Sequence, residues 1–352
     1  MCVHHHSLHC VLPPYVLEHL SASDNEKIRR AAIDALRMDE QARTLRTTMT
    51  MMPAMAAIPS QNGNKYRSVY TLRNKPPSPY TFPGKLLRSE GQGKCGDAAA
   101  DEAYAGAGHV YDFYLKQFER NSLDDRGMAL ISSVHVGKKY NNAFWNGEQM
   151  AYGDGDDQLF RRFTRSLDVI AHELTHGVVT HTCNLQYQDQ SGALNEHFAD
   201  VFGCLVKQWR NTQTAKQASW LIGEEIMGPG TQAKSLRALT GDKAYADDPL
   251  LGTDPQPKHM DDFVNMAGDN GGVHYNSGIP NHAFYLAAMK TGGKAWSKMG
   301  SVWYQTMQRL TSTSQFNDAA IVSIESAGEL FGRSSAEQKA VSSAWAEVGI
   351  SP

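Results

Sequence analysis

The sequence is poor in cysteine and lacks any long apolar run. Its cysteines are odd in number, irregularly spaced and without a C-x-x-C pair: Cys2, Cys10, Cys95, Cys183 and Cys204. This pattern does not indicate a disulfide framework and is typical of a reducing compartment, with buried thiols at the later positions. No stretch approaches the roughly 18 apolar residues that a membrane span requires, so we expect no membrane span.

A strong excess of one charge is also lacking. The chain has 34 Lys and Arg against 37 Asp and Glu, which gives a net charge of −3 at pH 7. This balance predicts neither a nucleic-acid partner nor a membrane-surface partner. The His-rich start lacks the basic residues and the apolar stretch of ~7–15 residues that mark a secretory signal. We therefore expect synthesis in the cytoplasm, and release by a non-standard route stays open.

What is present is a chain of 352 residues with 41% hydrophobic content, enough for two or three units. Residues 1–58 differ in composition from the rest. Within them, Pro13-Pro14-Tyr15 predicts an extended stretch, and a basic helix is predicted after it. We interpret residues 1–58 as a separate N-terminal segment with an approximate boundary.

The remaining residues divide into a β-rich part over 59–180 and a helical part over 181–352. Strand-like pieces include Asn142–Tyr152, while long helical patterns cover Ala98–Phe118 and Leu167–Thr180. In the second part, Gly and Pro clusters such as residues 268–280 separate the helices. The sequence predicts an α+β protein.

The strongest motif is His172-Glu173-Leu174-Thr175-His176. On a helix, positions four apart share a face, so both imidazoles can reach one ion. Glu173 can then point at a water molecule on that ion and act as general base. Alone, a five-residue match can also arise by chance in an ordinary amphipathic helix.

A second motif supplies the missing ligand. Asn195, Glu196 and Asp200 lie on the next helical pattern, where Glu196 and Asp200 share a face. A catalytic zinc takes three protein ligands and keeps one open position, so Glu196 is the expected third ligand. Asp200 and Asn195 can orient the two histidine rings. A solvated acidic helix would not explain the apolar neighbours of this motif.

Together these stretches resemble the thermolysin family. The match runs through His172–His176 and Ser191–Glu196, and it covers roughly residues 62–352. Three further stretches agree in order, Asn141–Gly147, Ser235–Arg237 and Asp269–His274. The short N-terminal segment is more similar to the prosegment of the protealysin-like members than to the longer precursor region of thermolysin.

The resemblance implies a two-lobe metallopeptidase with a β-rich N-terminal lobe, an α-helical C-terminal lobe and the zinc site between them. It implies a zinc-dependent endopeptidase, made as a precursor, that uses metal-activated water to cut before hydrophobic residues. Glu173 would be the base, Tyr187 and His274 would donate to the oxyanion, and Asp269 would orient His274. Protein or peptide substrates would lie on Asn142 and Ala143, with a carbonyl bound by Arg237. The apolar pocket for the residue after the cut would be formed by Phe160, Phe163, Val169, Ile222, Ile226 and Leu236.

The sequence departs from thermolysin at the double calcium site. Asp168 and Glu224 occupy matching positions, but Lys207, Ser219 and Leu221 stand where further carboxylates are expected. Because Ca²⁺ needs about six or more oxygen ligands, this site looks depleted. We expect one catalytic zinc, and we expect Lys207 to replace calcium in part by neutralising Asp168 and Glu224; bound calcium stays open as the alternative.

The N-terminal segment admits two interpretations that are compatible. It is either an intramolecular inhibitor that lays Pro13, Pro14 and Tyr15 into the cleft, or an interaction segment whose basic helix docks on the catalytic part. Cys10 is a candidate zinc ligand, with a buried or free thiol as the alternative. For the whole chain, the alternative hypotheses are a latent zinc-site protein that acts through this segment as a binding module, and a non-peptidase zinc protein with a chance H-E-x-x-H.

Overall fold

The computed structural model describes residues 9–51 and 64–351. Two lobes meet at a pair of central helices, with a sheet on the N-terminal side and a helical array on the C-terminal side. The predicted α+β class and the division into a β-rich and a helical part are therefore confirmed. None of the described helices is long and apolar enough to cross a membrane.

The main sheet has six strands in the order β1-β5-β6-β4-β2-β3. Strand β2 is parallel to β4, and β4 is parallel to β6, while the other neighbours are antiparallel. A separate two-stranded ribbon pairs β7 with β8. The strands are β1 His9–Cys10, β2 Arg67–Thr71, β3 Lys85–Ser89, β4 Leu130–Val134, β5 Ala143–Trp145, β6 Met150–Tyr152, β7 Leu221–Ile222 and β8 Arg237–Ala238. Strand β1 comes from the N-terminal segment, so that segment completes one edge of the catalytic sheet.

The helices surround and extend this sheet. They are α1 Pro14–Ser21, α2 Glu26–Met51, α3 Ala98–Phe118, α4 Leu167–Thr180, α5 Asp189–Arg210, α6 Asp269–Asn276, α7 Gly278–Thr291, α8 Lys298–Arg309, α9 Phe316–Phe331 and α10 Ala336–Glu347. Two of them, α3 and α4, begin and end at the residues that the sequence predicts. The Asp97 side chain accepts the Ala100 N–H at 3.0 Å and so caps α3.

Three local predictions differ from the structure in part. Pro14 begins helix α1 instead of continuing an extended stretch, because a proline at the first helical position has the right φ and lacks only an N–H that would be unpaired anyway. The predicted strand Asn142–Tyr152 is a hairpin of β5 and β6, since Asn146 accepts the N–H groups of Glu148 and Gln149 and turns the chain. Residues 268–280 are not simply a separator, because α6 lies within them.

Helix α4 is the central element of the molecule. Every residue from Asp168 to Val179 is buried. Helix α5 packs closely against it at Gly203, where a Cβ atom would lie 2.8 Å from the carbonyl oxygen of Asp168. This close approach brings polar side chains from both helices into the interior. Buried polar groups require partners, and those partners define the site.

A charged bridge fixes the start of α3 to the sheet. His135 follows β4 and places its Nδ1 2.8 Å from Asp154 and its Nε2 2.9 Å from Asp97. The hydrogen bond with Asp154 is the main cause that raises the pKa of His135 to about 9, with burial opposing it and Asp97 adding to it. His135 is therefore positively charged at neutral pH.

Candidate metal centre and active site

Helices α4 and α5 bring together the three predicted metal ligands. His172 and His176 lie one turn apart on α4, with their Nε2 atoms separated by 3.1 Å. Glu196 on α5 places Oε1 3.3 Å from the Nε2 atom of His176 and Oε2 3.5 Å from that of His172. Within residues 9–51 and 64–351, these three side chains are the group whose ligand atoms all lie within 4.8 Å of one another.

The orientation of these three side chains fits a cation. Nδ1 of His176 lies 2.8 Å from Oδ1 of Asn195, whose Nδ2 donates to a backbone carbonyl at 3.1 Å. Nδ1 of His172 lies 2.9 Å from Oδ1 of Asp200. With the Nδ1 atoms of both imidazoles facing oxygen acceptors, the two Nε2 atoms and the Glu196 carboxylate face one another. Without a positive ion this arrangement would be repulsive, whereas two imidazoles and one carboxylate are a typical zinc ligand set.

Glu173 follows the first histidine and lies next to this group. Its Oε2 accepts the backbone N–H of Trp145 at 2.9 Å, while Oε1 has no hydrogen-bond partner. Burial raises the pKa of Glu173 well above its usual range, and the nearby Glu196 carboxylate raises it further. Glu173 can thus accept a proton through an atom that is not already occupied.

Tyr187 and His274 lie on the other side of Glu196. The Tyr187 hydroxyl donates to Glu196 and lies 3.1 Å from Nε2 of His274, whose Nδ1 lies 2.6 Å from Asp269. Burial lowers the pKa of His274, but the carboxylates of Asp269 and Glu196 outweigh this effect and raise it to about 9. His274 is therefore a charged donor. The backbone just before His274 has positive φ angles at Asn270, Gly271 and Gly272, at the start of α6. Glycine adopts this conformation without steric cost.

Arg237 and Asp200 connect the metal group with β8. Arg237 is fully buried and forms a two-point ion pair with Asp200, with Nε and one Nη atom at 2.9 Å and 2.8 Å from the carboxylate. Burial alone would raise the pKa of Asp200, but Arg237 and His172 hold it well below its usual range. One carboxylate therefore orients both a metal ligand and the arginine.

Comparisons with known proteins agree with this geometry. The family model described as thermolysin metallopeptidase, catalytic domain, matches residues 38–180, and that described as its alpha-helical domain matches residues 183–350. An extracellular metalloprotease of Pectobacterium carotovorum subsp. carotovorum is 44% identical over 347 residues, which cover 97% of this chain and 96% of that protein. The chain belongs to the thermolysin family of metallopeptidases.

Two further relatives place it within the thermolysin family. The solved precursor of protealysin, a metalloproteinase from Serratia proteamaculans, is similar at 42% identity and a TM-score of 0.87, covering 97% of this chain and 100% of that chain. A thermolysin from Alicyclobacillus acidocaldarius subsp. acidocaldarius is 40% identical over 262 residues, 72% of this chain and 46% of that protein. As a member of this family, the chain is a zinc endopeptidase made as a precursor. The hypotheses of a latent binding protein and of a chance motif are not favoured.

In this thermolysin-family precursor, the N-terminal segment lies in the cleft. Strand β1 pairs antiparallel with β5, so that Cys10 faces Phe144. The next residue, Val11, donates its N–H to the Ala143 carbonyl at 3.3 Å and accepts from Arg237 at 2.7 Å. Leu12 donates its N–H to Oδ1 of Asn142 at 3.1 Å. Three of the predicted substrate-binding residues thus contact the protein's own chain: Asn142, Ala143 and Arg237.

The predicted apolar pocket residues are all buried, and most of them meet. The Phe160 and Phe163 rings are 6.0 Å apart. Arg161, next to Phe160, donates its N–H to the Ile226 carbonyl at 2.8 Å, and Leu236, just before β8, donates its N–H to the Ile222 carbonyl at 2.8 Å. Val169 lies on α4, in the turn before His172. Leu236 and Ile226 both approach Gly223, where a Cβ atom would lie 2.9 Å and 3.4 Å from their side chains.

The prosegment residues that hydrogen-bond to the substrate-binding groups lie just before the three that the sequence predicts. Pro13, Pro14 and Tyr15 lie at the start of α1, where Tyr15 packs its ring 4.6 Å from Tyr275, and the cleft contacts are made by Cys10, Val11 and Leu12. Asp39 was also missed: it is buried and accepts hydrogen bonds from Tyr140 and from Asn142, the latter at 3.1 Å. The apolar pair before the prolines was an available signal, but Asp39 had none.

The predictions for Cys10 and Lys207 can also be compared with the structure. The Cys10 thiol is buried, and burial with the nearby Asp39 carboxylate raises its pKa well above the usual range, so the thiolate that zinc prefers is disfavoured here. Lys207 does bind Asp168, at 2.9 Å, as expected. Its second close partner is Glu225 at 2.7 Å, whereas Glu224 is 3.7 Å away.

Proposed function

We propose that the prosegment inhibits this enzyme by occupying the cleft in the register of a substrate, and that the released enzyme cuts before hydrophobic residues. The observation that carries the proposal is the set of main-chain contacts made by residues 10–12. Extended peptides commonly bind by adding a strand to a sheet edge, and β1 adds to β5 in this way. In this register, the Cys10–Val11 bond takes the position of the bond to be cut, because the Cys10 oxygen lies 3.3 Å from Nε2 of His274.

The chemistry follows from the placement of the side chains. Zinc, when held by His172, His176 and Glu196, supplies a Lewis acid that acidifies water and polarises a carbonyl. Glu173 takes the proton of the attacking water on Oε1, because Oε2 is held by the Trp145 N–H, and it passes that proton to the leaving amine. His274 donates to the developing oxyanion while Asp269 keeps it charged.

Two further roles complete the proposal. Tyr187 is the second oxyanion donor, and its hydroxyl, which donates to Glu196 in this precursor, turns to the substrate oxygen during the reaction. Arg237 binds the carbonyl of the residue after the cut, as it binds the Val11 carbonyl here. Asn142 and Ala143 hold the backbone on either side of that carbonyl. Asn195 and Asp200 orient the two histidines through their Nδ1 atoms.

The proposed preference for hydrophobic residues rests on the composition and burial of the predicted pocket. The six predicted pocket residues are at most 3% exposed, and none carries a charge: Phe160, Phe163, Val169, Ile222, Ile226 and Leu236. A charged side chain placed among them would be desolvated without a partner. We therefore expect cleavage before residues such as Leu, Phe and Val.

We also propose that no calcium is needed at the site around Asp168. Lys207 already contacts Asp168 and Glu225, and Ser166 donates to Asp168 at 2.6 Å. These groups leave few free oxygen atoms, whereas Ca²⁺ needs about six or more.

The extent of the prosegment and the place of action are proposals as well. Helix α2 ends at Met51 and β2 begins at Arg67, so a boundary near residue 58 lies between them, outside the described residues. We propose that the catalytic unit begins there and is made of residues 59–180 and 181–352. The relative from Pectobacterium is named as extracellular, which supports release from the cell after synthesis in the cytoplasm.

The test is the intact mass of the purified full-length protein over time, with and without a zinc chelator. Loss of about fifty residues that stops with chelator, and that does not occur in Glu173→Ala, is expected for a self-maturing peptidase. Loss of only the first ten residues would show that the Cys10–Val11 bond is itself cut. A stable mass in zinc-saturated protein, together with no hydrolysis of a generic peptide, would contradict the proposal.

The specificity is tested separately by digestion of a peptide library with the matured enzyme. Enrichment of Leu, Phe and Val directly after the cut is expected. Enrichment of acidic or basic residues at that position would show that the apolar pocket is not the one that selects the substrate.

A further inference from the structure

A chain of buried polar side chains extends from the active site into the C-terminal lobe. The indole N–H of Trp303 donates to Nε2 of His197 at 2.8 Å. Nδ1 of His197 lies 2.8 Å from Oδ1 of Asn281, and Nδ2 of Asn281 donates to Oδ2 of Asp200 at 3.0 Å. All four side chains are at most 1% exposed. The chain links α8, α5 and α7 directly behind the metal ligand His172.

The direction of every hydrogen bond in this chain is determined. An indole nitrogen can only donate, so Nε2 of His197 must accept. Because Nε2 accepts a hydrogen bond and therefore carries no proton, the proton of the ring is on Nδ1. Nδ1 then donates to Oδ1 of Asn281, and the amide must present its nitrogen to Asp200. Trp303 therefore decides which end of Asn281 faces the carboxylate.

Asp200 is the point where this chain reaches the chemistry. Its carboxylate contacts Nδ1 of the ligand His172 and is bonded twice by Arg237, which holds the Val11 carbonyl. Asn281 is the remaining donor, and it approaches Oδ2 from a different helix. With this donor in place, Oδ2 is held from α7 as well as by Arg237. Without it, Arg237 alone holds Oδ2, and the carboxylate and Arg237 can shift together relative to His172.

We propose that Trp303, His197 and Asn281 are positioning residues that fix the Asp200 carboxylate and thereby set the metal ligand and the substrate-binding arginine together. This inference rests on the proposed role of Arg237. A purely apolar trio could fill the same space without burying polar atoms, which supports a role for the hydrogen bonds themselves. Loss of these hydrogen bonds should therefore weaken both the affinity for zinc and the binding of substrate.

The experiment compares Trp303→Phe with Trp345→Phe in the full-length protein and in the enzyme matured from it. Both tryptophans are 1% exposed and their rings stack 6.5 Å apart, but the Trp345 N–H donates to Ser323 at 2.8 Å, outside the chain. The variants lose similar volume and one indole hydrogen bond each. For Trp303→Phe we expect zinc Kd, measured by chelator competition, and KM for a peptide to rise about tenfold each. For Trp345→Phe, both should stay within about twofold, although Tm falls in both variants.

Asn281→Leu provides a second variant that removes the amide next to Asp200. It should raise zinc Kd and KM at least as much as Trp303→Phe does. Variants that lose stability but match Trp345→Phe in zinc Kd and KM would overturn the inference, and so would a rise in zinc Kd with KM unchanged. A matured wild-type enzyme that cuts peptides with no preference for hydrophobic residues after the cut would instead contradict the proposed function, so the two failures are distinguishable.

Discussion

The buried carboxylate of Asp39 makes docking of the prosegment sensitive to pH. It lies on α2 and is 2% exposed, with hydrogen bonds from Tyr140 and Asn142 of the catalytic part. Burial raises its pKa from 3.8 to about 6, although Tyr140, Arg43 and Asn142 oppose the shift. Once the prosegment leaves the cleft, this carboxylate is hydrated and returns to its ordinary pKa. Docking therefore takes up a proton.

The size of the effect follows from the two pKa values. A difference of about two in pKa corresponds to about 3 kcal/mol, or roughly a hundredfold in affinity. Because the pKa is raised on docking, the affinity is highest below the pKa of the free carboxyl, falls as pH rises, and levels off above about 6. Between pH 5 and pH 7 this gives a loss of about tenfold. Asp39→Asn removes the ionisable group and keeps a donor and an acceptor for the same partners.

The assay is inhibition of matured enzyme by added prosegment, with Ki measured from pH 5 to pH 8 for the wild type and for Asp39→Asn. At each pH, the Ki of the wild type is divided by the Ki of Asp39→Asn. This ratio cancels the pH dependence of catalysis and of the folding of the free prosegment. We expect this ratio to rise about tenfold between pH 5 and pH 7 and then to stay constant. Asp34→Asn is the matched control, because Asp34 lies on the same helix with a side chain that is 64% exposed. A ratio that is flat or falls with pH would refute the reasoning.

Three further predictions concern stability, calcium and the cleft. Because the pKa of His135 is raised in the folded protein, its charge stabilises the fold fully below about pH 6.5, and this contribution is lost as pH rises through about 9. The difference in unfolding free energy between wild type and His135→Gln should therefore shrink from pH 7 to pH 10. Removal of calcium should leave Tm of the zinc-saturated protein unchanged. By contrast, Lys207→Met should lower the free energy of unfolding in urea by about 3 kcal/mol, because Asp168 stays buried without its cation. A large fall in the wild-type Tm on chelation of calcium would count against this. Val11→Asp should weaken inhibition by the prosegment about a hundredfold, since it buries an unpaired charge, and a Ki equal to that of the wild type would disprove the proposed register.

The metal centre was predictable because its information is local. His172, Glu173 and His176 lie within one helical turn, and Glu196 and Asp200 lie within another, so helical periodicity alone brings each set to one face. The two helices follow each other along the chain and pack together. Fold class and the three-part order were accessible for the same reason, since long periodic segments are the most reliable feature of a sequence.

The contacts of the prosegment were not predictable in the same way. Asp39 and Asn142 are about a hundred residues apart, and neither has a neighbour that indicates the other. Pro13 and Pro14 misled because proline breaks a helix in its interior but begins one at its first position, and the sequence does not say which case applies. The chain from Trp303 to Asp200 joins three helices through directional bonds, and periodicity carries no information on direction.

The contacts of the prosegment also explain how it can complete the sheet in the precursor and still be released after cleavage. Strand β1 covers the edge of β5, and Val11 supplies the carbonyl that Arg237 binds, so these groups are satisfied before any substrate is present. A substrate offers the same main-chain groups and can replace them without loss. Asp39 adds a contact that no substrate needs to reproduce, but its ionisation opposes docking at neutral pH. A substrate can therefore form the same main-chain contacts as the prosegment. The charge of Asp39 weakens binding of the prosegment but not of a substrate, and this difference favours replacement of the prosegment after cleavage.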